Sequence, residues 1–457
     1  MTVHAEPARI APTPAPARGR VVWLPAGVLA LESADLATVG AVGGQLERSL
    51  GISHAELGLL AAAGPLTAVA GTLPAGVPAD RVRRTPLLAA SVVLWALAMV
   101  AGGAAGSFAE LLAARAVLGV LTATATPLLL SLTGDYFAPG ERARRCGTIG
   151  AGELLGSGFG FLVSGNVAAV LSWRWSFWVL VPPALVLAFA IHRALPEPPR
   201  GREPEGERNG VLQAQLARRG VAPRRVLTAD PRRMSLPQAV RFVLAVPTNV
   251  MLILAAATSN FFFAGVRVFT VLFIEGHYGL GQAAATSAMG VLGLGALGGV
   301  LAGGALADAL LVRGRLDARL VVAGAATIAA ALLWVGPLLF TALPPGLAVG
   351  LVAAAAMTMP TAPVDAARLD VIPARLRGRA ESVRSLLRAL AFAVAPLAFG
   401  LLADAFAGPS GNGPRAAFVI MLAPLAGSGL LLLAARRSYP RAAAGAIASD
   451  RRSAPAA

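Results

Sequence analysis

Twelve stretches of predominantly apolar residues, parted by short polar turns and one long polar interval, occupy most of this chain. A bilayer core of roughly 30 Å needs about 20 apolar residues per helix, and each stretch approaches or exceeds that length. They run approximately from Val21 to Leu46, Ala55 to Ala75, Leu87 to Ala105, Phe108 to Leu132, Gly147 to Val170 and Ser176 to Ile191. The second set runs from Thr248 to Ile274, Ala283 to Ala307, Leu320 to Phe340, Gly346 to Val364, Ala380 to Leu402 and Ala416 to Ala435. A chain that is 56% hydrophobic and only 14% charged cannot be wrapped into a soluble sphere. The sequence therefore predicts an all-α membrane protein.

The formal charge of +16 bears on topology. All 39 basic residues are arginine, and 34 of them fall on one set of alternate loops when the amino terminus is set inside, against three (Arg48, Arg174, Arg415) on the other set. Arg115 and Arg267 lie within spans. That asymmetry is the positive-inside rule, and it predicts a multi-pass protein of the plasma (inner) membrane with both termini and the central loop cytoplasmic. A nucleic-acid partner is not expected, because no folded polar domain carries the basic charge. The lone Cys146 and the scattered His4, His54, His192 and His277 offer no disulfide and no metal-ligand spacing. No cofactor is expected.

Residues 1–20 and 437–457, rich in Ala, Pro and Arg, are predicted to be disordered cytoplasmic tails. Residues 21–195 and 242–436 form two six-span bundles joined by a cytoplasmic loop over 196–241. Loop signatures support the division. Gly76-Val-Pro-Ala-Asp80-Arg81-Val-Arg83-Arg84 after span two has a degenerate copy, Gly304-Ala-Leu-Ala-Asp308 with Arg313 and Arg315, after span eight. The loops after spans four and ten share an Asp, Pro and paired Arg order, in Asp135 to Arg144 and Asp370 to Arg379. Matched loops in register mark an internal repeat, and transporters are commonly built from such repeats around a midplane site.

These residues resemble the major facilitator superfamily over residues 21 to 436. Gly76 to Arg84 is similar to its loop signature between spans two and three, except that Arg83 stands where glycine is usual, and Arg115-Ala-Val-Leu-Gly119 is similar to its span-four signature. Within the superfamily, several stretches resemble the Spinster-type lipid transporters: Asp35 sixteen residues before Gly51-Ile-Ser, Leu155 to Gly160, Pro196 to Gly201, and Arg377-Gly-Arg-Ala380 leading to Pro396 to Asp404. The resemblance implies twelve helices in two pseudo-symmetric bundles and transport by alternating access. It implies a gate made by Gly76, Asp80, Arg81 and Arg84, with Asp308 as the second copy, facing Arg384 and Arg388 at the start of span eleven. It also implies a proton-coupling role for Asp35 and Arg115. One departure is Thr122, where the Spinster pattern has Glu.

An ionisable residue near the bilayer centre costs roughly 2.5 to 3.5 kcal/mol even on lenient scales, so such residues point to function. Asp35 lies about 21 Å and Arg115 about 20 Å from the cytoplasmic side at 1.5 Å per residue. Equal depth and opposite charge predict a pair, either a coupling site or a static pin. Glu32, three residues before Asp35 and on roughly the same face, either supplies the second carboxylate missing at Thr122 or faces a watery vestibule. Arg267 in span seven, among Phe261, Phe262, Phe263, Phe269 and Phe273, either addresses an anion whose apolar part meets those rings or snorkels to the outer interface. The expected substrate-binding set is Arg115, Arg267, Phe262, Phe269 and Thr122; the expected coupling set is Asp35, Glu32 and Arg115.

Gly293-Leu-Gly295-Ala-Leu-Gly298 fits a dinucleotide pattern, yet it sits inside an apolar span with no preceding strand and reads as packing glycine, as do Gly156, Gly158 and Gly160. No Walker sequence or nucleophile triad is present, so no catalysis is expected. The reading is a monomeric, proton-coupled exporter of an amphipathic, lipid-like or drug-like organic molecule. Its alternative is a proton symporter importing a small organic acid, and a non-transporting membrane sensor is the different-class alternative.

Overall fold

The computed structural model describes residues 15–453 apart from 82, parts of 123–138, 198–209, 224–225, 228–233, 235, 374–375 and 408–412. For 15–18, 71–81, 139–148 and several residues of 378–385 only the backbone is described. Among the described residues the chain is helical and has no strand. Ten segments are long and apolar enough to cross a membrane, and the bent pair Gly43–Leu50 with His54–Ala70 makes an eleventh. The remaining expected span, the fourth, is described continuously only over Phe108–Thr122.

The helices outrun the apolar runs that predict them. Span two extends over His54–Arg81, 28 residues, or about 42 Å at 1.5 Å per residue. The signature Gly76 to Arg81 is therefore helix and not loop, because a backbone ladder does not stop where side chains turn polar. Span eight, Gln282–Val312, likewise absorbs Gly304 to Asp308. At the other end of span two, Gly51 adopts the left-handed conformation (φ 64) that closes Gly43–Leu50. Ser53 and Glu56 then form a reciprocal capping box: the Ser53 N–H donates to Glu56 Oε2 (2.8 Å) and the Glu56 N–H to Ser53 Oγ (3.2 Å).

Close helix pairs are set by glycine stripes. Gly152, Gly156 and Gly160 of span five pack on the carbonyls of Ala26, Ala30 and Ala34 in span one, where an added Cβ would collide with backbone. Gly295, Gly299 and Gly303 of span eight meet Leu351, Ala355 and Met359 of span ten in the same way. The spacing of four keeps a stripe on one helical face. Gly158 was expected to belong to it, but two residues off that register it meets nothing within 4 Å, and Gly152 takes its place.

The two halves meet at the end away from the chain termini, here termed the distal end. Gly58 of span two abuts the Pro396 carbonyl of span eleven, Gly400 abuts His54, and Gly40 of span one abuts the Arg267 carbonyl of span seven. Gln45 donates to Gln282 (2.6 Å), and Gln282 to the Ala41 carbonyl (2.9 Å).

Two boundaries are corrected. Within 437–457, expected to be disordered, Tyr439–Ser453 is helical, and 454–457 lie outside the described residues. Its apolar face buries Ala446, and it buries Tyr439, Ala442 and Ala443 against the second half in a cluster with Leu212 and Leu216 of the helix Gly210–Arg218. In the central segment the helix Gly210–Arg218 is likewise docked: Gln215 donates to the Leu311 carbonyl, and Arg219 just after the helix to the Gly314 carbonyl. At the amino end, the first described residues already belong to the helix Ala15–Ala41, ahead of the expected Val21, and residues 1–14, also expected to be disordered, lie outside the described residues.

Candidate functional site: a buried charge cluster between the two halves

Asp35, 1% exposed, accepts a 2.6 Å hydrogen bond from Arg115 Nη1, and Arg115 is 5% exposed. The expected pair is thus formed. Phe177, from the short helix Trp173–Trp178, covers the other face of Arg115, with its ring centroid 4.8 Å from Cζ. The second terminal nitrogen, Nη2, is buried with no hydrogen-bond partner among the described residues. A charge pair at this depth holds together because each member repays part of the other's desolvation, and removing either leaves a bare buried charge.

Glu32 is half-buried one turn before Asp35. It lies within electrostatic reach of Asp35, Glu153, Arg388 and Arg267. Glu153 of span five and Arg388 of span eleven are exposed. The first half thereby contributes carboxylates, and the second half guanidiniums, to one region between them.

Arg267, 5% exposed, donates from Nη2 to the Ser33 carbonyl of span one (3.0 Å), which ties the halves together two residues from Asp35. Its Nε finds no partner among the described residues. The rings beside its guanidinium are Phe263 at 5.9 Å and Phe392 at 5.8 Å. Phe262 and Phe269 were expected there, but they are sealed in a separate aromatic core. Phe262 packs edge-on against Trp334, Phe399 and Phe418, and Phe269 stacks on Phe399 at 6.1 Å. Helical phase explains the difference, since 262 and 269 share a face that 263 leaves by 100°. Thr122 turns its hydroxyl back to the Gly119 carbonyl (3.1 Å) and is not joined to the pair.

The side chains of the expected gate residues Gly76, Asp80 and Arg81 lie outside the described residues. Arg84 is 2% exposed, and its Nε donates to Glu197 Oε1 (3.1 Å), within the first half. Glu197 also accepts the backbone N–H groups of Arg84 (3.2 Å) and Thr85 (2.8 Å), so it caps the helix Arg84–Ala104. Burial would raise its carboxyl pKa, but the hydrogen bonds from Thr85 and Arg84 outweigh that and hold it below the usual range. Tyr136 donates to the neighbouring Pro196 carbonyl.

The second half has a comparable clasp, and it too is internal. Arg319, at the start of span nine, pairs with Asp370 at the end of span ten, and Tyr439 donates to Asp370 (2.5 Å). Asp308 stands exposed at the rim, 3.9 Å from Arg319, and does not reach the first half. Arg384 lines a cleft within the second half. No group of three or more His, Cys, Asp or Glu placed to hold an ion occurs among the described residues.

One contact between the halves was missed. Asp404, at the end of span eleven, accepts the backbone N–H groups of His54 (3.1 Å) and Ala55 (2.8 Å), capping span two from the opposite half. Its sequence signal is an acidic residue ending an apolar run, next to a capping box that leaves two donors unfilled.

The Major Facilitator Superfamily model matches residues 26–368. The chain belongs to the Major Facilitator Superfamily. It is therefore a transporter-family, multi-pass membrane protein. It is 31% identical over 170 residues to the 3-(3-hydroxy-phenyl)propionate transporter of Escherichia coli (strain K12), covering 37% of this chain and 42% of the relative. It is 34% identical over 134 residues to a triacylglyceride transporter of Mycobacterium tuberculosis, covering 28% of this chain and 26% of the relative. The chain thus spans less than half the length of these curated relatives. A solved bacterial homolog of the human lysosomal transporter Spinster, in an inward-facing and unoccupied conformation, superposes with a TM-score of 0.70 at 22% identity, covering 97% of this chain and 100% of that one. The shared architecture is that of the Spinster homolog's fold.

Proposed function

We propose that this superfamily member is a proton-coupled secondary carrier that exports an anionic, amphipathic organic molecule by alternating access. The carrying observation is the buried Asp35–Arg115 pair together with Arg267, a guanidinium between the halves that binds the Ser33 carbonyl two residues before Asp35 and whose Nε has no partner among the described residues. A proton on Asp35 releases Arg115, because a neutral carboxyl no longer offsets its charge. A cargo carboxylate or phosphate then meets Arg115 or Arg267, while Phe263 and Phe392 cover an apolar portion. Glu32 serves as the second protonatable group in place of the carboxylate that Thr122 lacks. Distal closure around Asp404, Gly58 and Gly40 supports a resting state open toward the end bearing the termini. With the arginine-rich loops inside, that end is cytoplasmic, and the carrier works as a monomer in the plasma membrane.

The test is transport in proteoliposomes under an imposed pH gradient, with Asp35→Asn and Glu32→Gln beside the parent. Loss of gradient-driven movement with retained cargo binding is the expected result; unchanged transport and pH profile in both variants would remove the coupling assignment. Proton symport of a small organic acid is the second reading, favoured by the likeness to the propionate-derivative transporter. Net uptake along an inward proton gradient distinguishes it.

A further inference from the structure

Titratable and charged side chains from both halves gather at the distal end, apart from the Asp35–Arg115–Arg267 region. The first half supplies Glu47 and Arg48 of the helix Gly43–Leu50 and His54 at the start of span two. The second half supplies Asp404 of span eleven and Glu275 of span seven. Glu275 Oε2 and Arg48 Nη1 both approach Gly44, within 2.7 and 3.5 Å of where a Cβ would stand there. His54 Nδ1 lies 2.5 Å from Glu47 Oε1, with the two side chains 22% and 14% exposed. Asp404 holds the His54 and Ala55 backbone across the interface and lies within electrostatic reach of the imidazole. Glu56, on the same helix as His54, is turned back to the Ser53 N–H.

What this group does depends on whether the halves are together. An ionised carboxylate only accepts hydrogen bonds, so His54 Nδ1 carries hydrogen toward Glu47 whether the ring is neutral or charged. The proton that comes and goes is therefore the one on Nε2. It is drawn from the distal solution, to which a side chain 22% exposed has access. Glu47 belongs to the same half as His54 and stays beside it when the halves part. Asp404 belongs to the opposite half, so its attraction for an imidazolium acts only while the distal end is closed.

We infer that His54 is a proton-operated latch on the distal end, its imidazolium held between Glu47 of its own half and Asp404 of the other. Protonation and closure then reinforce one another. Closure is strongest below the histidine range, about pH 6.5, and weakens as the pH rises through it. Glu275 is the competing carboxylate at this contact and is separated by its own variant. The inference rests on the alternating-access reading for the motion alone, and not on the cargo or on a role for Asp35.

The experiment measures spin-label distances in the purified full-length protein, without cargo, from about pH 5 to about pH 8. The labels sit on Ala109→Cys and Thr341→Cys, exposed distal positions in opposite halves, in a Cys146→Ser background. The longer, distal-open distance is expected to gain population as the pH rises, its ratio to the closed distance changing about fivefold, the scale of a partly exposed ion pair. His54→Gln and Asp404→Asn should each flatten that response, the second while keeping an oxygen acceptor for the His54 N–H. Glu275→Gln should leave it in place. An open population that ignores pH in the parent, or a response that survives in both His54→Gln and Asp404→Asn, overturns the latch and leaves alternating access intact. A response lost only in Glu275→Gln assigns the proton to that carboxylate and overturns the latch as well. One distance at every pH and in every variant would count against distal opening itself, and against the latch with it.

Discussion

Asp404 caps the first turn of span two from across the molecule, its carboxylate receiving the N–H groups of His54 and Ala55 at 3.1 and 2.8 Å. Helix starts leave backbone donors unfilled, and here one half of the protein supplies the acceptor for the other. Opening the distal end must break both bonds. Asp404→Ala is therefore expected to shift the equilibrium toward distal opening by about 2- to 30-fold, from a cap worth about 0.5–2 kcal/mol. Labelling of a cysteine at Ser33, with Cys146 replaced, by an impermeant reagent from the distal side reads this. No rise over the parent would remove Asp404 from the gate.

Removing one member of the Asp35–Arg115 pair strands the other in a desolvated site. Arg115→Leu is expected to cost about 3–5 kcal/mol, and Asp35→Asn combined with Arg115→Leu to recover most of that loss. Thermal unfolding of the three proteins measures it. A single-variant cost as small as that of an exposed pair would contradict the burial.

Glycine at 156 and glycine at 158 should behave oppositely. Gly156→Ala drives a methyl into the Ala30 carbonyl and is expected to destabilise by about 1–3 kcal/mol. Gly158→Ala, with open space around it, should stabilise by up to about 1 kcal/mol through helix propensity. Equal effects would mean that span five does not pack on span one as described.

Glu197 links Arg84 and Thr85 at the end bearing the termini. Its carboxyl is held below the ordinary range, so its contribution is complete above the unfolded-state value, about 4.3, and is lost as pH falls through the lower folded value. Glu197→Gln should lower the unfolding temperature at neutral pH and flatten its fall on acidification. An unchanged acid limb would refute the clasp.

Tyr439 is pushed up to about 12 by burial, partly offset by Arg319. The neutral phenol is the favoured folded form, so its contribution is present below the unfolded value of about 10 and lost as pH rises toward 12. Tyr439→Phe should remove one tyrosine's share of the late absorbance rise in an alkaline titration. Loss of an early step instead would place this hydroxyl in solvent.

Much of the architecture was legible in residue order. Apolar runs of bilayer length, arginines concentrated on alternate loops, and the twin signatures at Asp80 and Asp308 define spans, halves and superfamily, because each follows from local composition against a fixed membrane thickness. Equal depth also brought Asp35 to Arg115, since distance along a helix converts directly into depth. Partners joined by lateral packing were not legible. Phe263 and not Phe262 meets Arg267, Glu197 holds Arg84, and Asp404 reaches His54 across about 350 residues. Those pairings depend on helix rotation and on which helices touch, and both are decided where glycine stripes let backbones close on one another. The sequence by itself determined what crosses the membrane and at what depth each charge sits; only the tertiary structure decided which charge faces which, because facing is a property of packed helices and not of any one of them.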